Sequence, residues 1–428
     1  MPRAPYRPGQ PLDGLTRRGL LRASCGAGVA AALAATAGCS LSDVFAGAAR
    51  KPLPAGTPIL VLVTLFGGND GLNTVVPYAD SAYHDARPEL AYAADKVLDL
   101  GSGLGLNPAL KGLKSLWDEK HLAIVRGVGY PQPDRSHFRS MDIWQTAVPD
   151  HAEPTGWLGR WLDTTPTASA DPLQALVIGS TLPPMLVGAS RAGSALEVGA
   201  GRLPADRSAL LSALGASDAA DTETMAAVAQ TYADALSLDA RLVSALRNPG
   251  PAADLLADES SAPVGDRGNA GNVGAQFQTV AACIRAGAPT RVYSVSLGGF
   301  DTHAGEKEAH EALLGALDAA LTRFRAALAG HERASDVVVV AYSEFGRRVH
   351  ANASQGTDHG TASDVFVIGD RVRAGFHGEQ PALTSLDNGD LKATTDFRSV
   401  YAALAHSVLG VDPGSIIAKA PAPLDLFT

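Results

Sequence analysis

Cysteine is nearly absent from this sequence, aromatic residues are few, and basic charge is in deficit. Three Cys occur in 428 residues. Cys25 and Cys39 fall in the first four dozen positions, which leaves Cys283 alone in the rest of the chain. No intramolecular disulfide is available there, so stability must come from core packing. Cys283 itself reads as a small buried hydrophobe on a helix. Long apolar runs are missing too. The uncharged stretch from Gly26 to Gly38 falls short of the about 20 residues that a membrane span requires. Lys and Arg number 35 against 44 Asp and Glu, a formal charge of −9. Residues 1–48 hold five Arg against two Asp, so the remainder stands at −12. A chain that acidic lacks the basic stripe that nucleic acid demands, and no nucleic-acid partner is expected.

What is present describes a folded globular protein. Apolar residues make up 46% and charged residues 18%, and the length suffices for one large domain or two ordinary ones. The 45 glycines point to many turns and closely packed helices.

The N-terminal segment reads as an address. Thr16-Arg17-Arg18-Gly19-Leu20-Leu21-Arg22 resembles the twin-arginine signal, with the apolar run directly after it. The twin-arginine translocase is the expected partner, and the periplasm, cell surface or exterior the expected destination. Two end points stay open. Thr36-Ala37-Gly38-Cys39 resembles a lipobox, which would place a lipid anchor on Cys39, the only membrane attachment expected. Ala46-Gly47-Ala48 has the small-x-small form of an ordinary cleavage site, which sets the signal at residues 1–48.

Beyond it, residues 55–428 read as a single α/β domain. Ile59 to Phe66 is almost uninterrupted in apolar residues, as a strand buried on both faces would be. Leu122 to Val125, Ala175 to Ile178, Thr290 to Leu297, Asp336 to Tyr342 and Val365 to Ile368 repeat the pattern. Helical spacing predicts helices over Pro108–His121, Glu223–Arg247, Asn272–Ala286, Glu306–Gly330 and Thr395–Leu409. Strands alternating with helices predict a mostly parallel central sheet flanked by helices on both faces. Residues around 187–271 read as a helical and loop insert.

Acidic and histidine-bearing motifs stand where buried strands give way to glycine, the place where open α/β sheets gather ligands. Asp70 lies in Gly67-Gly-Asn-Asp-Gly71, after the first strand. Asp301 and His303 follow Gly298-Gly299, and two residues apart in an extended segment they face the same side. Glu344 lies in Ser343-Glu-Phe-Gly-Arg-Arg348, and Asp358 and His359 sit between Gly356 and Gly360. Carboxylates and imidazoles in this sequence of places suit a two-metal site of the Zn, Mn, Mg or Ca type. A further motif, Asp134-Arg-Ser-His-Phe-Arg-Ser140, opens a predicted helix. Ser136 there reads either as a nucleophile among free N–H groups or as the helix cap, with Arg135 or Arg139 as anion clamp and His137 as a packing residue.

These motifs resemble those of a bacterial family known as domain-of-unknown-function family 1501. The matching pieces are Gly67–Gly71, Arg135–Phe138, Gly298–His303, Ser343–Arg347, Gly356–Gly360 and Asp396-Phe397-Arg398, and the likeness covers roughly residues 55–410. That family is similar in fold to the alkaline phosphatase and sulfatase superfamily. The resemblance implies Asp70, Asp301, His303, Glu344, Asp358 and His359 as metal ligands and Ser136 as nucleophile. Two correspondences stay open, one giving Glu344 a primary role and one giving it to Asp358 and His359. The activity implied is hydrolysis of small phosphate or sulfate esters. The alternatives are a non-catalytic cell-surface binding or assembly protein, and an exported partner protein that docks through the 187–271 insert.

Overall fold

The β-branched and apolar runs become the strands of one large sheet. A computed structural model describes residues 38–39, 41–166, 171–196, 216 and 273–428. The twin-arginine pattern, the helix expected over 223–247 and the insert beyond residue 196, Ala216 apart, lie outside the described residues.

In chain order the strands are β1 (Gly38–Cys39), β2 (Ile59–Phe66), β3 (Val75–Val76), β4 (Leu98–Gly101), β5 (Leu104–Leu106), β6 (Leu122–Gly129) and β7 (Ala175–Ile178). They continue with β8 (Ser194–Leu196), β9 (Val292–Gly298), β10 (Val337–Tyr342), β11 (Ser363–Ile368), β12 (Gly375–His377) and β13 (Thr395–Asp396). The large sheet runs β1-β8-β7-β9-β2-β10-β11-β6-β12, with β13 also on β6; β3, β5 and β4 form a small antiparallel sheet beside it. Every pairing in the large sheet is parallel except the two made by β11, which runs against both β10 and β6. The fold is therefore α/β around a mixed, mostly parallel sheet.

Strand alternation divides the core into two layers. Ile59, Val61, Val63 and Leu65 of β2 face Phe277, Val280 and Ile284 of helix 273–285 and Leu314, Leu317 and Leu321 of helix 306–328. Leu60 and Leu62 face the other way, toward Ile143, Trp144, Trp157, Trp161 and Tyr401 on helices 137–146, 157–164 and 397–404. Each such side chain, fully buried, stabilises by about 1.5–3 kcal/mol relative to exposure, so the continuous apolar runs carry the sheet.

Some expectations shift. The stretch 187–196, read as the start of an insert, supplies β8 and a short bridge between Val187 and Ala192. The helix expected over 108–121 covers only Lys111–Asp118, and it has no side-chain cap of its own. Asp318 of the long helix serves instead, its carboxylate accepting from the Gly112 and Leu113 amides at 2.8 Å each. Cys39 is buried in edge strand β1, and Val44 and Ala48 of the following helix are buried as well.

Strand direction places the site. The carboxyl ends of β9, β2 and β10, three neighbours in the sheet, release the segments after residues 298, 66 and 342 on one edge. Because β11 is antiparallel, its amino end lies on that same edge, and so does the 356–362 segment leading into it.

Candidate metal centre

Close backbone approach assembles the edge. Gly67 holds φ at +119°, and a Cβ there would stand 2.4 Å from the Asp301 amide nitrogen, so only glycine lets the β2 and β9 loops touch. A Cβ on Gly356 would likewise meet the His303 carbonyl carbon at 2.3 Å. Arg347, fully buried, then ties the loops together. Its guanidinium donates to the carbonyl oxygens of Gly67, Gly68, Phe300 and Thr357 and to Asp301 Oδ1 at 2.8 Å.

Asp301 Oδ1 is the point on which the cluster converges. His303 Nε2 and His359 Nε2 each lie 3.0 Å from it, and His137 Nε2 lies 3.5 Å away. The Nε2 atoms of His303 and His359 are themselves 3.0 Å apart. One ligand atom each from His137, Asp301 and His359 fits within a 4.8 Å span. Burial works against the charge of Asp301, but the Arg347 and His359 bonds outweigh it and bring its carboxyl down to about 2. The group is an anion at any physiological pH.

Each imidazole is held by its other nitrogen. His137 Nδ1 lies 2.8 Å from Glu344 Oε1 and carries the proton of that bond, which turns Nε2 toward Asp301. The bond to Glu344 raises the pKa of His137 from its ordinary value, and its Nε2 is buried without a hydrogen-bond partner. His359 Nδ1 donates to the Arg135 carbonyl at 2.8 Å, and His303 Nδ1 faces Asp358 Oδ1 at 3.4 Å. An acceptor behind each ring is the arrangement that fixes histidine metal ligands. Phe345 packs against His137 and His359, each at 4.9 Å between ring centroids.

The spacing fits an ion. With zinc bonds of about 2.0–2.1 Å to nitrogen and oxygen, the edges of a tetrahedral shell measure about 3.3–3.4 Å. The four short separations, each imidazole to Asp301 and His303 to His359, run from 3.0 to 3.5 Å and straddle that value, while His137, Asp301 and His359 form the trio that fits within one 4.8 Å span. Three imidazoles and one carboxylate, with a partnerless His137 Nε2 among them, are the donor types that a borderline divalent cation takes.

The sequence-derived candidates are thus only partly brought together. Asp301, His303 and His359 meet. Glu344, 2% exposed, stands one shell behind, accepting from His137, from the Gly67 amide at 2.9 Å and from Ser343 Oγ at 3.0 Å. Asp358, 57% exposed, is not among the converging groups but stands behind His303, because the extended backbone at residue 359 turns successive side chains to opposite sides. Asp70 makes its contacts elsewhere: it is fully buried against Arg87, whose charge captures it. Ser136 is the helix cap, its Oγ accepting from the Arg139 amide at a long 3.5 Å, and among the described residues its hydroxyl has no histidine or carboxylate as a base. Arg139 is taken by Asp142 and the Pro149 carbonyl, and Arg135 by Asp390. His137 is the ligand candidate that sequence reasoning set aside as packing. Its signal was position, eight residues past the carboxyl end of β6 and at the first residue of helix 137–146.

Residues 120–420 match the family described as "Protein of unknown function (DUF1501)". No curated protein matches the sequence. Among solved structures, the chain is similar to the lipoteichoic acid synthase LtaP from Listeria monocytogenes, with 9% identity, 86% of this chain and 76% of that chain covered, and a TM-score of 0.38. It is also similar to Ps i-CgsB in complex with k-i-k-neocarrahexaose, with 9% identity, 86% and 75% covered, and a TM-score of 0.40. At that identity and score neither likeness bears on substrate or mechanism.

Proposed function

The chain belongs to the DUF1501 family, and from that premise we propose that it is an exported divalent-metal protein whose centre hydrolyses phosphate or sulfate esters. One observation carries the reading: three imidazole Nε2 atoms gather on the ionised Asp301, each ring held from behind by an acceptor. The ligand set proposed is His137, Asp301, His303 and His359. It departs from the six residues expected at first, and its imidazoles suit Zn or a similar transition ion better than Ca or Mg.

A bound ion of this kind supplies Lewis acidity toward an ester oxygen. The chain supplies the rest. Arg347 keeps Asp301 ionised and aimed, and Glu344 adds a second negative charge behind His137. Asp301 and His303 are about half exposed, so a substrate can reach them from solvent. Beside them a cleft of about 680 Å³ is lined by Tyr130, Arg135, Thr361, Asp390 and Lys392, large enough for a small ester.

Metal content and hydrolysis test the reading together. Protein purified without chelator should carry close to one zinc-type ion per chain by elemental analysis and cleave 4-nitrophenyl phosphate or sulfate. His359→Ala should lose both. Wild type without bound metal after reconstitution would end the proposal.

A second reading has its own support. Among the described residues, Ser136 lacks a base, and Arg139 is consumed by Asp142 and Pro149, so neither a serine nucleophile nor that anion clamp is in place. A non-catalytic surface protein that keeps the ion would show stoichiometric metal and no hydrolysis of either ester. Export belongs to the proposal on the strength of the Arg17-Arg18 pattern. Residues 1–48 fused to a folded reporter should carry it out of the cytoplasm, and replacing both arginines by lysine should stop it.

A further inference from the structure

Behind the metal centre lies a buried polar network that the proposed chemistry does not use. Asp70 Oδ1 and Glu306 Oε1 are both buried, and among the described residues neither has a donor. The two carboxyl groups lie within hydrogen-bonding reach of each other, and such a pair bonds only if one carries a proton. We infer that Glu306 and Asp70 share one proton, and that this neutral-plus-anionic pair positions the loops that hold the metal ligands.

The network links those loops one to the next. Glu306 Oε2 accepts from Thr357 Oγ1 at 2.6 Å, which fastens the segment bearing His359. Glu306 itself lies three residues beyond His303, at the start of the long helix. Asp70 follows the Gly67-Gly68 turn whose carbonyls receive Arg347. Its other oxygen, Oδ2, takes Arg87, which also donates to the carbonyls of Arg348 at 2.6 Å and Val349 at 2.7 Å, in the segment bearing Glu344. The loops after β2 and β9 and both arms of the β10–β11 loop are therefore joined through one proton.

The charges around the pair are consistent with that placement. Burial, then the Asp70 charge, push the Glu306 carboxyl up to about 9. Burial opposes ionisation of Asp70 too, but Arg87 holds it below the usual carboxylate range. His310, one turn along from Glu306, is brought down to about 4 by burial and is neutral, bonded to Asn69 Oδ1 at 2.8 Å. Tyr83, whose hydroxyl donates to Asn73, is neutral as well, and Arg347 lies beyond His310. Arg87 is thus the one cation facing the pair from the 70–87 segment, and it matches a single carboxylate charge.

The sign of the pH effect follows. Between about 4.5 and about 9 the folded chain holds a Glu306 proton that the unfolded chain has released. Stability from this group is complete below that window and declines as pH rises through it. Glu306→Gln mimics the protonated acid, donating to Asp70 and accepting from Thr357 with nothing to titrate.

The experiment compares wild type, Glu306→Gln and Glu306→Leu. Melting temperatures of the metal-free proteins are followed from pH 6 to 9, and Zn2+ affinity is measured at pH 7.5. Subtracting the Glu306→Gln curve from wild type should leave a downward trend across the range. Glu306→Gln should bind Zn2+ within about threefold of wild type, while Glu306→Leu should lose about tenfold or more. Parallel melting curves for wild type and Glu306→Gln would overturn the shared proton. Equal Zn2+ affinity in all three proteins would overturn the positioning role. That role rests on the metal reading, so wild type that binds no Zn2+ overturns it as well, whereas the melting curves judge the proton alone. If Glu306→Leu fails to fold, a Glu306→Gln affinity reduced tenfold with an unchanged melting temperature would still refute it.

Discussion

Replacing Glu344 by Gln changes one charge and almost nothing of size or shape, which makes it a sharp probe of the centre. The amide oxygen can still receive the Gly67 amide and His137 Nδ1, now at 2.9 and 2.8 Å from Oε1. The amide nitrogen then faces Ser343 Oγ, which can accept. What disappears is the carboxylate behind the imidazole. A hydrogen bond to a charged group is worth about 1.5–3 kcal/mol, and loss of an outer partner of a ligating histidine costs about 10–100-fold in affinity, or about 1.4–2.8 kcal/mol. The two figures agree, so Glu344→Gln should weaken Zn2+ binding about 10–100-fold. Competition against a chromophoric chelator at pH 7.5 reads the affinity, and a melting curve without metal shows that the fold persists. Affinity within twofold of wild type, in a protein that melts normally, would refute the claim that His137 binds through Nε2 with Glu344 behind it.

Three further outcomes are expected. Gly67→Ala must carry a side chain at φ +119° and push the Asp301 amide, so it should cost about 1–3 kcal/mol in backbone strain alone, lower the melting temperature and loosen the metal site. Ser136→Ala removes a cap with a 3.5 Å bond and should cost about 1 kcal/mol at most, leaving metal binding unchanged; loss of ester hydrolysis in a stably folded variant would instead make Ser136 the nucleophile. Chelation should destabilise the metal-loaded wild type by about 4 kcal/mol if free ion had stood at about 1,000 times the dissociation constant. Asp301→Asn should melt the same with and without chelator.

Particular residues show how far the sequence could be read. The apolar run 59–66 announced a strand buried on both faces, because no amphipathic helix or half-exposed strand tolerates it. Asp301 and His303 were legible from their spacing of two in an extended stretch after glycines. Asp358 and His359 were legible as a pair but not as to which one faces inward, since that depends on the rotation of a loop pinned by the Arg347–His359 bridge. Asp70 looked like Asp301 in its setting. Only the fold reveals Arg87 next to it, 17 residues along the chain, and a neutralising cation converts a candidate ligand into a structural anchor. His137 was hidden for the converse reason: its partner Glu344 is 207 residues away.

By itself the sequence settled the class of fold and pointed to the loops that carry acids and imidazoles. Strand and helix periods are local properties, and glycines beside acids and imidazoles mark turns where ligands can gather. It could not settle which of those groups meet. That was decided by strand order and by the reversal of β11, which brings the amino end of one strand to the carboxyl ends of four others. Hydrogen bonding across a sheet joins segments hundreds of residues apart, and at short range nothing in the chain encodes the direction in which a strand will enter it.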